Sequence, residues 1–351
     1  MGGAARDLAR SVAAAVAHDA VVLTVRNWSA LGPREVAAIR RAFDAELRSG
    51  GAAEVRLTIS GNLTQFLLVA EIQRSGEREV MLESWPRTAS PARAAPKDAT
   101  AEVRLAKTLL WEQAQPVLDA ARLDDGILVL DSERILLARA QDQQSVPIPA
   151  SRPWPRDMRG RLAVNPPAFT AWLPGTVCRG SLGPPLSVQC RESQEPWPLA
   201  PGMTAALAPA RNYFEGRVDI AGWGAGDVPA FYTAAPAGDA WIFAGADGRP
   251  HVYTRAWEPA GSLEQWGSDI AGVETPCGPR ILAARPVSVA GPDAVQPYQF
   301  IDGAAQPAGA ALEFAGPITA LWSTGNSATA VAHDLETGRY AAYSLAPACG
   351  S

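Results

Sequence analysis

Two distant segments of the chain share one pattern of apolar and polar positions. Each has three short apolar runs separated by two polar turns, which are Asp124–Gly126 and Asp131–Glu133 in the first segment and Thr324–Asn326 and Glu336–Gly338 in the second. Short apolar runs joined by tight polar turns are typical of antiparallel β-meanders. A meander of this kind is the unit of a β-propeller blade.

The first 86 residues follow a different, mixed pattern. Apolar residues at helical spacing in residues 5–17, and again after Pro33, predict two helices. A β-branched run at residues 21–27 and three later apolar runs predict strands. The order α, β, α, β, β, β predicts an α+β domain over residues 1–86, with two helices on a small sheet.

The rest of the chain is predicted to be all β. Residues 87–102 are rich in Pro, Ala and charge without periodicity, which is typical of a linker. Over residues 103–351, repeated apolar runs predict a β-propeller of five or six blades. The apolar strand at residues 105–113 has no partner before the first meander, and the last meander has only three strands. Pairing between them would close the ring and remove an exposed edge. A β-sandwich is the alternative fold.

Composition narrows the classes of partner. The net charge of −5 and the pI near 5.4 provide no basic surface, so we expect no nucleic-acid partner. No apolar run reaches the roughly 20 residues that a membrane span requires. The first ten residues also lack the apolar stretch of a signal peptide. We expect a monomer without an integral membrane segment.

The redox state of the four cysteines would indicate the cellular compartment of the protein. Cys178 and Cys190 flank a Gly–Pro turn between two potential strands, which is typical of a hairpin disulfide, and Cys277 and Cys349 would form the second pair. Four cysteines allow three connectivities. Disulfides favour a periplasmic or secreted protein whose signal peptide has been removed, whereas four reduced thiols would indicate the cytoplasm. Without CxxC spacing or clustered histidines, we expect no metal and no cofactor.

The order of a small α/β domain and a predicted propeller resembles the periplasmic propeller proteins of the TolB family. The segment around Phe214–Gly216 and Gly226–Asp227 also resembles FG-GAP or VCBS-type repeats, in which Phe, Gly and Asp mark a blade edge. These resemblances imply a propeller that docks protein or cell-envelope partners.

Candidate catalytic residues are few. Asp119, Asp269 and Glu274 fall at predicted inner-strand positions, where paired carboxylates could hydrolyse glycosides. His333–Asp334 is an adjacent His–Asp pair, and its simpler interpretation is a strand end beside a turn. Gly222–Gly226 contains a GxGxG string without a following helix, which indicates a loop and not a dinucleotide cradle.

The eleven tryptophans are a stronger indication of a binding surface than the charged residues are. Tryptophans in predicted strands are expected to pack between blades. Those in or beside predicted loops are candidates for a partner surface, because rigid aromatics bury a large area at a small cost in entropy. The candidates are Trp154, Trp197, Trp223, Trp257 and Trp266.

The sequence therefore favours a non-catalytic bacterial binding or scaffold protein, periplasmic or exported, that docks protein or cell-envelope partners. The alternative is a carbohydrate-active propeller enzyme that uses paired carboxylates in its central funnel.

Overall fold

The computed structural model describes residues 2–17, 19–27, 29, 33–51, 53–61, 65–74, 77–86, 102–149, 155, 157–208, 210–263, 266–286, 292–301 and 303–350. Contacts within the chain define two compact units, Met1–Ala95 and Pro96–Ser351. The predicted linker lies outside the described residues except for Glu102.

Unit 1 contains two helices and one five-stranded sheet. The helices are α1 (Gly2–Ala15) and α2 (Pro33–Glu46). The strands are β1 (Ala20–Asn27), β2 (Arg48–Ser49), β3 (Ala53–Gly61), β4 (Gln65–Arg74) and β5 (Glu77–Pro86). Their order in the sheet is β2-β1-β3-β4-β5, with β1 parallel to β3 and hairpin pairing from β3 to β5.

Amphipathic spacing explains the core of unit 1. Leu8 and Val12 lie on one face of α1, and they pack with Phe43 of α2 against alternate residues of β3 such as Val55 and Leu57. Alternate side chains of a strand point to opposite faces, so the helices cover one face of the sheet.

The first strands of unit 2 form two four-stranded antiparallel sheets, preceded by β6 (Val103–Gln113). The first sheet contains β7 (Val117–Arg122), β8 (Gly126–Asp131), β9 (Arg134–Arg139) and β10 (Asp142–Pro147). The second contains β11 (Arg161–Asn165), β12 (Ala168–Leu173), β13 (Thr176–Ser181) and β14 (Ser187–Glu192).

The next eight strands belong to one sheet that consists of two meanders. The first meander has β15 (Trp197–Ala200), β16 (Met203–Leu207), β17 (Phe214–Ile220) and β18 (Gly224–Asp227), and the second has β19 (Phe231–Ala237), β20 (Ala240–Gly245), β21 (Pro250–Thr254) and β22 (Pro259–Ser262). They join at a single residue pair, Phe214 opposite Phe231.

The last two sheets complete unit 2. One contains β23 (Ile270–Thr275), β24 (Gly278–Pro286), β25 (Asp293–Ile301), β26 (Ala304–Pro307) and β27 (Leu312–Glu313). The other contains β28 (Ile318–Ser323), β29 (Ala328–His333) and β30 (Tyr340–Cys349), with β6 as its fourth strand. Gly325 and Gly338 have φ of +98° and +69° in the two turns of this meander, a conformation that glycine adopts without strain.

The predicted closure is confirmed. β6 pairs antiparallel with β30, and the register runs from Tyr340 opposite Gln113 to Cys349 opposite Val103. The predicted strand partner of residues 105–113 is therefore the observed one. The last sheet takes its outer strand from the chain segment that precedes the first sheet, as in a closed β-propeller.

The first strands of the meanders lie next to one another. β7 contacts β11 and β28, β23 contacts β28 and β19, and β15 contacts β19. Successive four-stranded meanders with neighbouring inner strands and a shared closing strand are the architecture of a β-propeller. Aromatic side chains fill the space between meanders, and Phe214, Phe231 and Trp322 are almost completely buried.

Candidate functional site

We call the space between the first strands of the meanders the central channel, and a cavity lies at each of its two ends. The cavity where the inner strands begin has a volume of ≈ 460 Å³ and is lined by Leu118, Arg159 and Asp269 among others, and we call it the Asp269 end. The cavity where these strands end has a volume of ≈ 700 Å³ and includes Asp119 and Arg161, and we call it the Asp119 end. Both volumes lie in the usual range for small-molecule sites.

The Asp269 end contains a fully paired carboxylate. Arg159 donates from Nη1 to Oδ1 of Asp269 at 2.9 Å and from Nη2 to Oδ2 at 3.2 Å. The Ser268 hydroxyl donates to Oδ2 at 2.6 Å, and the guanidinium lies 5.0 Å from the centre of the Tyr232 ring. Both charged side chains are buried, which suits a bidentate ion pair. The pair joins the segment before β11 to the segment before β23, on different sheets.

The Asp119 end contains a second buried pair with different bonding. Arg161 Nη1 donates to Oδ2 of Asp119 at 3.1 Å, and the backbone N–H groups of Leu162 and Ala120 donate to the same carboxylate at 2.7 and 2.8 Å. Arg161 Nη2 donates to the Ser323 carbonyl at 2.7 Å. Burial raises the pKa of Asp119 above its ordinary value, and Arg161 and the two N–H groups offset part of that rise.

Gly160 explains how one short segment supplies both arginines. It separates Arg159 from Arg161, and a Cβ at this position would lie 2.8 Å from side-chain atoms of Leu118 and Leu130. Since a real Cβ does not approach so closely, only glycine lets this segment lie against the first sheet. The two arginines are thereby fixed beside the channel and reach different carboxylates.

The three candidate carboxylates do not form a catalytic pair within one cavity. Asp119 and Asp269 line different cavities, and each is bound by its own arginine. Glu274 is exposed near the end of β23, and its backbone N–H donates to the Gly325 carbonyl. Glycoside hydrolysis uses two carboxyl groups on either side of one bond, an arrangement that these residues do not provide.

Two of the five candidate tryptophans were wrongly expected at the surface. Trp197 is 3% exposed and Trp266 is 6% exposed. Trp197 begins β15 and packs edge-on against Phe214, whereas Trp266 packs against Tyr298. The prolines beside Trp197 suggested a loop, but a proline is compatible with a strand at a position that needs no N–H donor. Trp154 lies outside the described residues.

Trp223 and Trp257 are half-buried and form a pair. Their rings meet edge to face with centroids 5.8 Å apart. Trp257 covers Gly226 of the edge strand β18, where an added Cβ would lie 2.0 Å from the indole ring. Arg255 Nη2 donates to the Gly222 carbonyl at 2.6 Å, which fixes the two turns to one another. The predicted loop at Gly222–Gly226 is thus a turn and an edge strand beneath an aromatic pair.

Both predicted disulfides are present. Cys178 and Cys190 are directly opposite each other on β13 and β14, and Cys277 joins Cys349 across two sheets. His333 stacks on Tyr340 with ring centroids 4.3 Å apart, which agrees with a strand-end role. Within the described ranges, no three His, Cys, Asp or Glu side chains are grouped as metal ligands. No described helix has the length and apolar character needed to cross a bilayer.

Sequence reasoning missed Arg159 and Arg161, because a one-dimensional pattern does not reveal which carboxylate an arginine meets. The signal that could have identified them is the short Arg–Gly–Arg segment directly before an apolar strand, since glycine at such a position favours close packing.

Comparisons with known proteins give only distant structural likenesses. No family model matches the chain, and no curated protein matches it in sequence. Among solved structures, BamB from Moraxella catarrhalis is 14% identical at a TM-score of 0.35, with 84% of this chain and 79% of that chain covered. The Neurospora crassa Pan2 WD40 domain is 9% identical at a TM-score of 0.37, with 82% and 87% covered. BBS1N in complex with ARL6DN is 11% identical at a TM-score of 0.34, with 80% and 86% covered. Likenesses at these TM-scores do not indicate a shared function.

Proposed function

We propose that this chain is an exported, non-catalytic binding protein built from an N-terminal α+β domain and a six-bladed propeller. The six blades are β7–β10, β11–β14, β15–β18, β19–β22, β23–β26 and β28–β30 with β6, and β27 extends the fifth. The two disulfides support an oxidising compartment such as the periplasm.

The observation that carries this proposal is that the buried carboxylates of the channel are already bound by other groups of the protein. Asp119 and Asp269 each have an arginine partner and further hydrogen-bond donors, so both carboxylates are committed to holding sheets together. Thr233 plays a similar part, since its hydroxyl accepts the Ile270 N–H from the neighbouring blade at 2.8 Å. Buried polar groups that are satisfied in this way rigidify a frame, and its function then depends on its cavities and outer surfaces.

The partner surface that we propose is the Trp223–Trp257 pair. The partner is a protein or a cell-envelope component with an apolar contact of its own. Both rings are partly exposed, and the bond from Arg255 to Gly222 holds the underlying turns in place before any partner arrives. A preorganised aromatic pair loses little entropy on binding, which is the property of an interface anchor.

The test is capture of partners from envelope extract of the native host by the full-length protein. We expect a stoichiometric partner with the wild type, and loss of that partner in a Trp223→Ala/Trp257→Ala variant whose circular dichroism and melting temperature confirm folding. The matched control is Leu335→Ala, which removes another exposed apolar side chain, 52% exposed, from a turn of the last sheet. Equal capture by the double variant, or no stoichiometric partner at all, would contradict the proposal.

A further inference from the structure

The cavity at the Asp119 end has unused polar groups. It lies among β7, β11, the turn after β15, and the turn between β28 and β29. Its ionisable lining consists of Asp119, Arg122 and Arg161, so positive charge is in excess by one. Because Asp119 and Arg161 neutralise each other, the unbalanced charge belongs to Arg122.

Arg122 is available for a ligand. It is an exposed residue at the end of β7, and its side chain has no ion pair or hydrogen bond within the described part of the chain. Deeper in the cavity wall, the Nε atom of Arg161 is buried and without a hydrogen-bond partner, although both terminal nitrogens of that side chain are used. The exposed guanidinium of Arg122, in contrast, is accessible and favours an incoming oxygen acceptor.

Hydroxyl groups also line this cavity. Thr324 and Ser327 bond to each other through their hydroxyls at 2.7 Å, which leaves each oxygen further bonding capacity. Ser344 also lines the cavity, and its hydroxyl has no partner among the described residues. Thr329 is already bonded to the Ala120 carbonyl and serves the frame. Hydroxyls and one unbalanced positive charge in the same cavity suit a ligand that carries both an acid and alcohol groups.

We propose that the Asp119 end binds a small polyhydroxylated carboxylic acid, of the size and chemistry of a sugar acid. The carboxylate pairs with Arg122, and the ligand hydroxyls bond to Thr324, Ser327 and Ser344. A cavity of ≈ 700 Å³ accommodates a ligand of this size. This inference is independent of the aromatic partner surface, because none of the cavity residues belongs to the Trp223–Trp257 pair.

The experiment is isothermal titration of the full-length protein with D-glucuronate, D-glucose and inorganic phosphate. We expect saturable binding of glucuronate and at least about tenfold weaker binding of glucose, since a charge-assisted hydrogen bond typically contributes that factor. Phosphate is also expected to bind more weakly, because it uses Arg122 but does not reproduce the alcohol contacts.

Two variants and one control assign the contacts. Arg122→Ala should weaken glucuronate binding about tenfold or more, and Ser344→Ala should weaken it severalfold without affecting phosphate. Arg104→Ala, which removes another exposed arginine without an ion pair, should leave affinity unchanged. Absence of glucuronate binding, or unchanged affinity in Arg122→Ala, would overturn the assignment. Equal affinity for phosphate and glucuronate would overturn the sugar-acid class.

Discussion

Each end of the channel contains an aspartate paired with an arginine, but the two pairs are bonded differently. At the Asp269 end, one arginine binds both carboxylate oxygens and a serine completes the bonding, so the site is saturated. At the Asp119 end, backbone N–H groups share the carboxylate, and the exposed side chain of Arg122 beside it has no partner among the described residues. The first arrangement fastens the frame, whereas the second also leaves a cavity with bonding capacity. The same ion pair of aspartate and arginine therefore occurs at both ends, and the Asp119 end differs by the unpaired arginine in its described lining.

The largest expected effect is at the saturated end. Arg159→Met should destabilise the protein by about 4 to 5 kcal/mol, because it leaves the buried Asp269 carboxylate without a cation. Arg161→Met should cost less, about 3 kcal/mol, because Asp119 keeps two backbone donors. Urea denaturation at neutral pH measures both free energies of unfolding.

The control for these two variants is Arg191→Met. Its ion pair with Glu195 is exposed, with 59% and 27% of the side chains accessible, so the expected cost is below about 1 kcal/mol. If Arg161→Met proved as costly as Arg159→Met, the contrast between the two ends would not hold.

A disulfide bond also stabilises the protein on the side of the Asp119 end. The Cys277–Cys349 bridge follows β23, which ends beside Gly325 of that cavity, and it closes a separation of 72 residues. In the chain-entropy treatment its removal by Cys277→Ala/Cys349→Ala costs about 4 kcal/mol, against about 3 kcal/mol for the 12-residue Cys178–Cys190 bridge. Thermal unfolding of both double variants measures the order, and a larger loss from the shorter bridge would contradict it.

The smallest expected effect is a pH dependence that separates buried from exposed carboxylates. Because burial raises the pKa of Asp119 above 3.8, the charged form is less favourable in the folded protein. The unfolding free energy of the wild type should therefore fall, relative to Asp119→Asn, as pH rises from about 4 through the raised pKa. Denaturant titrations across acidic to neutral pH measure this difference.

Asp334 provides the contrast of opposite sign. The backbone N–H groups of Thr337 and Glu336 lower the pKa of its carboxyl below 3.8. The stability that this carboxylate contributes is present above 3.8 and lost as pH falls through the lowered value. Relative to Asp334→Asn, the wild type should therefore lose stability on acidification below about pH 4. A shared sign for the two aspartates would refute the assignment of causes.

Much of the fold was predictable because the decisive signals are local. Three apolar runs with Asp–Gly or Thr–Gly turns fix a meander, and an apolar strand at residues 105–113 beside a three-stranded last meander implies closure. The number of meanders between residues 197 and 262 was harder to predict. β15 and β18 have only four residues each and contain proline or glycine, so their periodicity is weak.

The candidate site was predictable only in part. The cysteine pairs followed from a turn signal and from elimination of the remaining two residues. Trp197 of β15 packs against Phe214 of β17, which belongs to the same meander. The pairing of Arg159 with Asp269 joins different sheets and spans 110 residues, so it exists only after the sheets assemble, and no short window of the sequence contains it.

Pairing of β6 with β30 determines when the nascent chain can form a complete ring. β6 is synthesised early, but its partner β30 follows so late that the salt bridge from Glu112 to Arg339 joins residues 227 positions apart. Throughout that interval the nascent chain carries an unpaired strand edge of eleven residues, a template for association with other chains. Pairing with β30 therefore removes this aggregation hazard at the same moment that it completes the last sheet.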